Sequence, residues 1–348
     1  MMKRITFVFA WAVCASALAA KVDPQLKAEM EPLLKSFVST SDKTEQPLYF
    51  WAPENAKERA VPLLVGLHTW SGDITQLKHY AGPLHEAKRR GWAFVGSNFR
   101  GPNWTPLGCG SDAAVQDIVD AVAYAQRQVK VDPKRIYIAG ASGGGHMALL
   151  MAGRHPEIFA AAAALCPPAE LARWHREMTT LPRLAKYPYG KHLVKACGGT
   201  PAEKMSEYLH RSATTHLKNA RAVGVAIYIE TGIHDGWIGS VPDGHAIRAF
   251  NELADEPDRL SEETIAFIEQ NQKVPEALAF AGRNPFYSEK NRVHFRRTSA
   301  NAVLTIFEGG HGGNWASAYD FLSRQEKGRK ADFTVPEKAC GKVEALYK

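Results

Sequence analysis

Short apolar segments of strand length alternate along this chain with segments of helical periodicity, and this order restricts the fold more than any other feature. The predicted strands are residues 62–67, 92–96, 135–139, 159–165, 225–229 and 303–307. The predicted helices are residues 76–90, 113–129, 143–153, 245–253 and 316–322. Strands joined by helical crossovers pair in parallel, with helices on both faces of the sheet. The sequence therefore predicts an α/β fold with a mostly parallel sheet.

Two longer stretches interrupt this alternation, near residues 167–221 and 255–300. Neither is low-complexity, and the chain shows no internal repeat. We interpret both as insertions near one face of a single domain that spans residues 20–348. Of the 348 residues, 45% are hydrophobic and 23% are charged. This composition excludes a disordered chain, a collagen-like fibre and a disulfide miniprotein.

Residues 1–19 have the features of a secretory signal peptide. Lys3 and Arg4 precede an uncharged, mostly apolar run at residues 5–19, and Ala17-Leu18-Ala19 supplies a small-x-small cleavage site. The run is short for a membrane-spanning helix, which needs about 20 residues; a buried N-terminal helix is the alternative. We expect an exported protein, periplasmic or secreted, with no membrane segment after cleavage.

The cysteines and the charges exclude further classes of site. Four cysteines follow the predicted cleavage point, namely Cys109, Cys166, Cys197 and Cys340. In an oxidising compartment they could form two disulfides, with three pairings that the sequence leaves open. No His/Cys cluster has the spacing of a metal site, so no metal ion is predicted. The formal net charge is +7, and the Lys and Arg residues are scattered along the chain. This distribution argues against nucleic-acid binding.

A Gly-x-Ser-x-Gly segment, residues 140–144, lies between a predicted strand and a predicted helix. The pattern is common by chance, but a tight strand–turn–helix presents a serine hydroxyl above the end of a sheet. Glycines permit the strained turn. We predict Ser142 as a nucleophile, with the backbone N–H of Gly143 as a donor to the oxyanion. The alternative is a glycine-rich turn that only packs helix on strand.

A second oxyanion donor should come from the loop after an early strand. Residues 67–73 occupy that place, where the backbone N–H of Trp70 is the first choice and that of Thr69 the second. An ordinary strand-to-helix loop is the alternative.

A serine nucleophile needs a general base and an acid that orients the base. In this arrangement the acid and then the histidine follow the serine along the chain. Asp235 lies beyond the end of strand 225–229, and His311 follows strand 303–307 with glycines on both sides. These positions predict Asp235 as the acid and His311 as the base.

Three other residues could be considered for these roles. Asp243 could be the acid, although its position predicts the N-cap of helix 245–253. His234 adjoins the predicted acid but precedes it. His146 lies inside helix 143–153 and is predicted to be a packing residue.

Together these motifs resemble the α/β-hydrolase superfamily, and within it the catalytic domain of the prolyl oligopeptidase family and related bacterial feruloyl and acetyl esterases. The resemblance extends from about residue 48 to residue 322. It rests on Leu-His-x-x-x-Gly-Asp at 67–73, Val-Asp-Pro-Lys-Arg-Ile at 131–136, the Ser142 turn, the Asp235 loop with Val241-Pro242, and Glu-Gly-Gly-His at 308–311. It implies an α/β-hydrolase fold with two insertions, a Ser142–Asp235–His311 triad and no cofactor.

Two positions depart from the pattern of those peptidases. Five residues separate Asp235 from Val241 where the family usually has two, and Thr69 stands where it usually has glycine. About 30 residues lie between the predicted cleavage point and the first core strand. We therefore expect no room for the N-terminal β-propeller that restricts substrates in prolyl oligopeptidases.

A triad of this kind cleaves esters and amides through the same type of intermediate, so the motif does not identify the bond. Export, the missing propeller and tryptophans in the site loops favour an esterase. Trp104, Trp237 and Trp315 are predicted to stack on a sugar or phenolic ring of the substrate, unless they pack the insertions instead.

We expect a serine hydrolase that removes acetyl or feruloyl groups from plant polysaccharide, with a small-molecule or polysaccharide-linked ester as its partner. A serine peptidase, a polyester depolymerase and a non-catalytic binding module are the alternatives.

Overall fold

The structure is a computed structural model that describes residues 23–339. The predicted signal peptide and Cys340 lie outside the described residues. Within them, no helix has both the length and the apolar character needed to cross a membrane. Cys109, Cys166 and Cys197 are free thiols in the structure, and a bond to Cys340 falls outside the described residues.

The described strands form one nine-stranded sheet. They are β1 (Leu34–Val38), β2 (Glu45–Trp51), β3 (Val61–Leu67), β4 (Ala93–Ser97), β5 (Val131–Ala141), β6 (Ala161–Leu165), β7 (Ala226–Gly232), β8 (Val293–Ser299) and β9 (Ala302–Phe307). Their order in the sheet is β1-β2-β4-β3-β5-β6-β7-β9-β8. Six neighbouring strands pair in parallel, namely β4, β3, β5, β6, β7 and β9. At the two edges of the sheet, β1, β2 and β8 pair antiparallel.

The described helices cover both faces of the sheet. They are α1 (Pro24–Met30), α2 (Leu77–Arg90), α3 (Asp112–Gln128), α4 (Gly143–Arg154), α5 (Leu171–Thr180), α6 (Tyr189–Cys197), α7 (Pro201–Arg211), α8 (Leu217–Val223), α9 (Gly244–Leu253), α10 (Glu262–Asn271) and α11 (Trp315–Ser323). Every residue of β3 is buried. Leu63 and Val65 join the core under α3, α4 and α9, and Leu64 joins the core under α2 and α11. This explains why the strand is apolar throughout rather than alternating.

The structure corrects the predicted start of α3. The helix begins at Asp112, one residue before the predicted start at 113, and Ser111 is its N-cap, because its side chain accepts a hydrogen bond from the Ala114 N–H at 3.1 Å. Asp112 is the first residue of the helix, where a carboxylate interacts favourably with the helix dipole.

The two interrupting stretches have different structures. Residues 167–221 form α5, α6 and α7 and the first part of α8, whereas residues 255–300 contain α10 and β8. β8 extends the main sheet by pairing with β9. We call α5, α6 and α7 the helical cover. Its buried side chains, including Trp174, share an apolar cluster with Trp70.

Candidate active site

Ser142 lies at the turn between β5 and α4, where its backbone is strained. Its φ is 56° and its ψ is −120°, in the region of positive φ that residues other than glycine rarely adopt. A Cβ on Gly140 would overlap the backbone of Gly144, so the close approach of strand and helix requires glycine. The Ser142 N–H donates a hydrogen bond to the carbonyl of Leu165 at 2.8 Å. This anchors the turn to the end of β6.

His311 and Asp235 form a hydrogen-bonded pair in the loops after β9 and β7. Nδ1 of His311 lies 2.6 Å from Oδ2 of Asp235. The other oxygen of Asp235 accepts the N–H groups of Gly236 and Val241 at 2.9 and 3.1 Å. The longer loop between Asp235 and Val241 therefore wraps around the carboxylate and holds it in place.

The environment of this pair favours the charged form of the imidazole. Burial by itself lowers the pKa of His311, but the Asp235 carboxylate and the Cys166 thiol outweigh burial and raise this pKa well above its ordinary value. The Asp235 side chain is fully buried, whereas a quarter of the His311 side chain is exposed. A buried carboxylate against Nδ1 both orients the ring and stabilises an imidazolium.

Cys166 is the neighbour of His311 that sequence analysis missed, because there it is considered only as half of a disulfide. Its Sγ lies 3.9 Å from Nε2 of His311, its side chain is 2% exposed, and its φ is 42°. Within residues 23–339, the Ser142 hydroxyl has no hydrogen-bond partner. Cys166 follows Leu165, whose carbonyl accepts the Ser142 N–H, so the serine turn and the Cys166–His311 contact both lie at the end of β6.

The same cluster contains the described side chains that could together hold a metal ion. One donor atom each of Cys166, Asp235 and His311 lies within 4.8 Å of the others. A thiolate, an imidazole and a carboxylate are all zinc ligands. The three residues show no ligand spacing in the sequence because they come from three separate strand ends.

The backbone of Trp70 lies against Gly143, the residue that follows Ser142. A Cβ on Gly143 would lie 2.5 Å from the backbone nitrogen of Trp70, so the two peptide units are in contact. Neither the N–H of Trp70 nor that of Gly143 is paired with an acceptor among the described residues. The Thr69 N–H, in contrast, donates to Oε1 of Gln76 at 2.9 Å. Trp70 and Gly143 can therefore offer an oxyanion hole, and Thr69 cannot without losing that bond.

A buried carboxylic acid, Glu230, supports the loop that carries His311. It accepts hydrogen bonds from Tyr228 at 2.7 Å, from Tyr287 at 2.9 Å and from the Asn314 N–H at 3.0 Å. Burial raises the pKa of Glu230 to about 7. Glu230 lies in β7, the strand that leads into the acid loop, and the sequence pattern assigned it no role.

The alternative acid and bases have other surroundings. Asp243 is buried at the start of α9 and makes no capping hydrogen bond, and burial raises its pKa well above the ordinary value. His234 contacts Gln272 and Glu308. His146 is fully buried, bonded to a backbone carbonyl, and burial lowers its pKa to about 4. None of these histidines is hydrogen-bonded to Asp235.

The tryptophans predicted to bind substrate lie in three different environments. Trp104 is partly buried, with its ring 4.7 Å from that of His192 in α6. Trp237 is 40% exposed in the acid loop, and it donates to the carbonyl of Glu269. Trp315 is buried and stacks on Tyr319, a packing contact within the core under α2 and α11.

The chain is similar in sequence or structure to both peptidases and an esterase. A sequence model of the prolyl oligopeptidase family matches residues 87–270, a region that contains Ser142 and Asp235 and ends before His311. An acetylxylan esterase of Coprinopsis cinerea is 29% identical over 150 residues, which cover 40% of this chain and 39% of that protein.

The solved structures that resemble this chain include acylaminoacyl peptidases. The enzyme from Pyrococcus horikoshii has a TM-score of 0.56 and 16% identity, covering 87% of this chain and 43% of the other. An acylaminoacyl peptidase in complex with Z-Gly-Gly-Phe-chloromethyl ketone has a TM-score of 0.51 and 15% identity, with the same coverages. This chain therefore spans about two fifths of the length of these relatives. The likeness confirms the predicted α/β-hydrolase fold.

Proposed function

The chain belongs to the prolyl oligopeptidase family of α/β-hydrolases, and from that premise we propose that it is a serine hydrolase that cleaves carboxylic esters. The observation that carries the proposal is the 2.6 Å contact between His311 and Asp235 beside the strained Ser142 turn. A serine at a strand–helix turn, a histidine and a buried carboxylate are the parts of an acyl-transfer site.

In the proposed mechanism, Ser142 attacks the carbonyl carbon of the ester while Nε2 of His311 removes its proton. A side-chain rotation brings the hydroxyl to Nε2, since catalytic hydrogen bonds often tighten only when substrate binds. Asp235 stabilises the imidazolium that forms, and the N–H groups of Trp70 and Gly143 bind the oxyanion. His311 then protonates the leaving alcohol, and water releases the acyl group by the same steps in reverse.

Two observations favour esters of plant polysaccharide, such as acetyl or feruloyl esters. The curated relative at 29% identity is an acetylxylan esterase. Trp237 and Ile238, which are 40% and 71% exposed, lie in the acid loop, and Ile238 packs beside Gly310 in the histidine loop. An exposed indole near the base suits stacking on a sugar or phenolic ring. The proposal includes export, as the first 19 residues indicate.

A serine peptidase is the second candidate, favoured by the family match over residues 87–270. Hydrolysis of a peptide and hydrolysis of an ester proceed through the same type of tetrahedral intermediate, so one oxyanion hole serves both reactions.

Hydrolysis of p-nitrophenyl acetate, methyl ferulate, acetylated xylan and a proline p-nitroanilide tests the proposal. Ester turnover in the wild type should fall by at least about 10³-fold in Ser142→Ala. Ser206→Ala, an exposed serine on α7, is the matched control and should retain full activity. A fluorophosphonate probe should label the wild type and not Ser142→Ala. Anilide cleavage at a rate comparable to that of the esters would establish the peptidase instead.

A further inference from the structure

Two of the described cysteines lie in one buried apolar cluster, although they are roughly 90 residues apart in sequence. Cys109 lies in the loop between β4 and α3, and Cys197 is the last residue of α6. Their side chains are 0% and 4% exposed. Burial and the neighbouring Cys197 thiol raise the pKa of Cys109, and the Cys109 thiol lowers the pKa of Cys197. Both belong to the apolar cluster of the helical cover.

Metal binding does not account for this thiol pair. A structural zinc ion takes four ligands, usually cysteines and histidines. The described residues contain one group of three possible ligands close enough to share an ion, and neither Cys109 nor Cys197 is in it. Two neighbouring buried thiols without further metal ligands can instead bond to each other.

We propose that Cys109 and Cys197 form a disulfide bond that ties the helical cover to the loop before α3. This bond occurs in one of the three pairings that the sequence leaves open. The second bond of that pairing, between Cys166 and Cys340, is not part of the proposal, which keeps Cys166 as the thiol beside His311. A bond that closes a long loop restricts the unfolded chain strongly, so it stabilises the fold.

Bond formation requires an oxidant of the disulfide class, such as the disulfide of a thiol oxidoreductase or oxidised glutathione. The Cys197 thiolate attacks one sulfur of that disulfide, which gives a mixed disulfide and releases one thiol of the oxidant. Cys109 then attacks the Cys197 sulfur, forms the new bond and releases the second thiol. The pair loses two electrons and two protons, and the oxidant gains both. Because the folded chain buries both thiols, the exchange takes place while the chain folds.

The bond would connect two segments that both contact Trp70. The Asn103 N–H donates to the Trp70 carbonyl at 2.9 Å, and the Cys109 N–H donates to the Asn103 side chain at 2.9 Å. On the other side, the indole N–H of Trp70 donates to Nδ1 of His192 in α6 at 3.3 Å. Cross-linking these segments holds the backbone of Trp70 in place. This consequence rests on the proposed function, whereas the pairing itself does not.

Peptide mapping of the full chain tests the pairing. The protein is matured in an oxidising compartment or in a glutathione redox buffer, alkylated under denaturing conditions without reductant, digested and analysed by mass spectrometry. We expect a linked peptide that contains Cys109 and Cys197, with Cys166 alkylated. The control Cys166→Ala should give the same linked peptide. Recovery of Cys109 and Cys197 as alkylated thiols, or linked to other cysteines, would overturn the proposal.

Thermal unfolding gives a second, independent measurement. Reduction should lower the Tm of the wild type by roughly 5–10 °C, and it should not change the Tm of the Cys109→Ala/Cys197→Ala double variant. Equal Tm values for the oxidised and reduced wild type would contradict a stabilising bond.

Activity on p-nitrophenyl acetate tests the consequence for Trp70. Reduction should lower kcat/KM of the wild type and leave that of the double variant unchanged. An unchanged kcat/KM in the wild type, together with the linked peptide, would overturn the role in holding Trp70 while supporting the pairing. Absence of any ester hydrolysis would count against the proposed function and would not alter the peptide map.

Discussion

The loops at the strand ends and the helical cover both contact Trp70, yet they use their side chains in opposite ways. The strand-end loops hold polar groups in place by hydrogen bonds, as with Asp235, which accepts bonds from His311 and from two backbone N–H groups. The helical cover packs rings against one another, as with Trp174, whose ring lies 4.8 Å from that of Trp70 in an edge-on arrangement. The chemistry thus belongs to the loops, and the shape of the site belongs to the cover.

The largest expected effect separates two acids that lie close together in the sequence. Asp235→Asn should lower kcat/KM for p-nitrophenyl acetate by about 10³- to 10⁴-fold, because an amide neither fixes the reactive tautomer nor stabilises the imidazolium. Asp243→Asn is the matched control and should stay within about tenfold of the wild type, since Asp243 does not contact His311. A larger loss in Asp243→Asn than in Asp235→Asn would reassign the acid.

A second test concerns stability at the strand ends. The pKa of Glu230 is raised from 4.5 to about 7 by burial, so Glu230 stabilises the fold below pH 4.5, and this contribution is lost as pH rises through 7. The loss amounts to about 3 kcal/mol in the free energy of unfolding. Glu230→Gln should flatten the decline of stability between pH 4.5 and 8, measured by urea unfolding.

Glu263→Gln, at an exposed position on α10, is the control for Glu230→Gln and should keep the wild-type decline. A decline of equal size in Glu230→Gln would show that another group causes it.

Removal of an aromatic ring beside the helical cover should change substrate binding more than the chemical step. Trp104→Ala should raise KM for methyl ferulate up to about tenfold, the value of one aromatic contact, with kcat nearly unchanged. Trp51→Phe, in β2 and partly buried, is a tryptophan control away from Ser142. A fall in kcat in Trp104→Ala with a constant KM would show that Trp104 contributes to the chemical step rather than to substrate binding.

The smallest expected effect concerns the thiol beside the base. The general base must be neutral, so kcat/KM should rise with pH through the raised pKa of His311. Cys166 contributes to that rise in pKa, and Cys166→Ala should therefore move the acid limb of the kcat/KM profile to lower pH. Measurement from pH 5 to 9, with Cys166→Ser as the size-matched variant, checks the direction. An acid limb that stays in place or moves to higher pH would contradict this role.

Sequence analysis predicted the central strands and the serine turn more completely than the edges of the sheet. β3 could be predicted because its apolar run is uninterrupted, as burial on both faces requires. β1 could not, because four of its five residues are exposed and only Phe37 is buried. β8 was assigned to an insertion, since its arginines and histidine are typical of an irregular surface segment, and only pairing with β9 makes it a strand.

The candidate site also combines features that the local sequence sets with features that only tertiary packing sets. Gly140, Ser142 and the glycines around His311 could be recognised because a tight turn imposes its residue types locally. The contact of Cys166 with His311, and the neighbourhood of Cys109 and Cys197, could not be recognised in that way. Each joins segments that the fold alone brings together.

By itself, the sequence determined the α/β fold class and the order of the candidate serine, acid and histidine, because helical periodicity, apolar strands and glycine turns are local patterns. The tertiary structure decided which groups meet. It left the Trp70 N–H unpaired while Gln76 binds that of Thr69. It set Asp235 rather than Asp243 against His311, and it brought two thiols that are distant in the sequence into one buried cluster. Such contacts depend on how whole elements pack, and no local pattern in the chain encodes them.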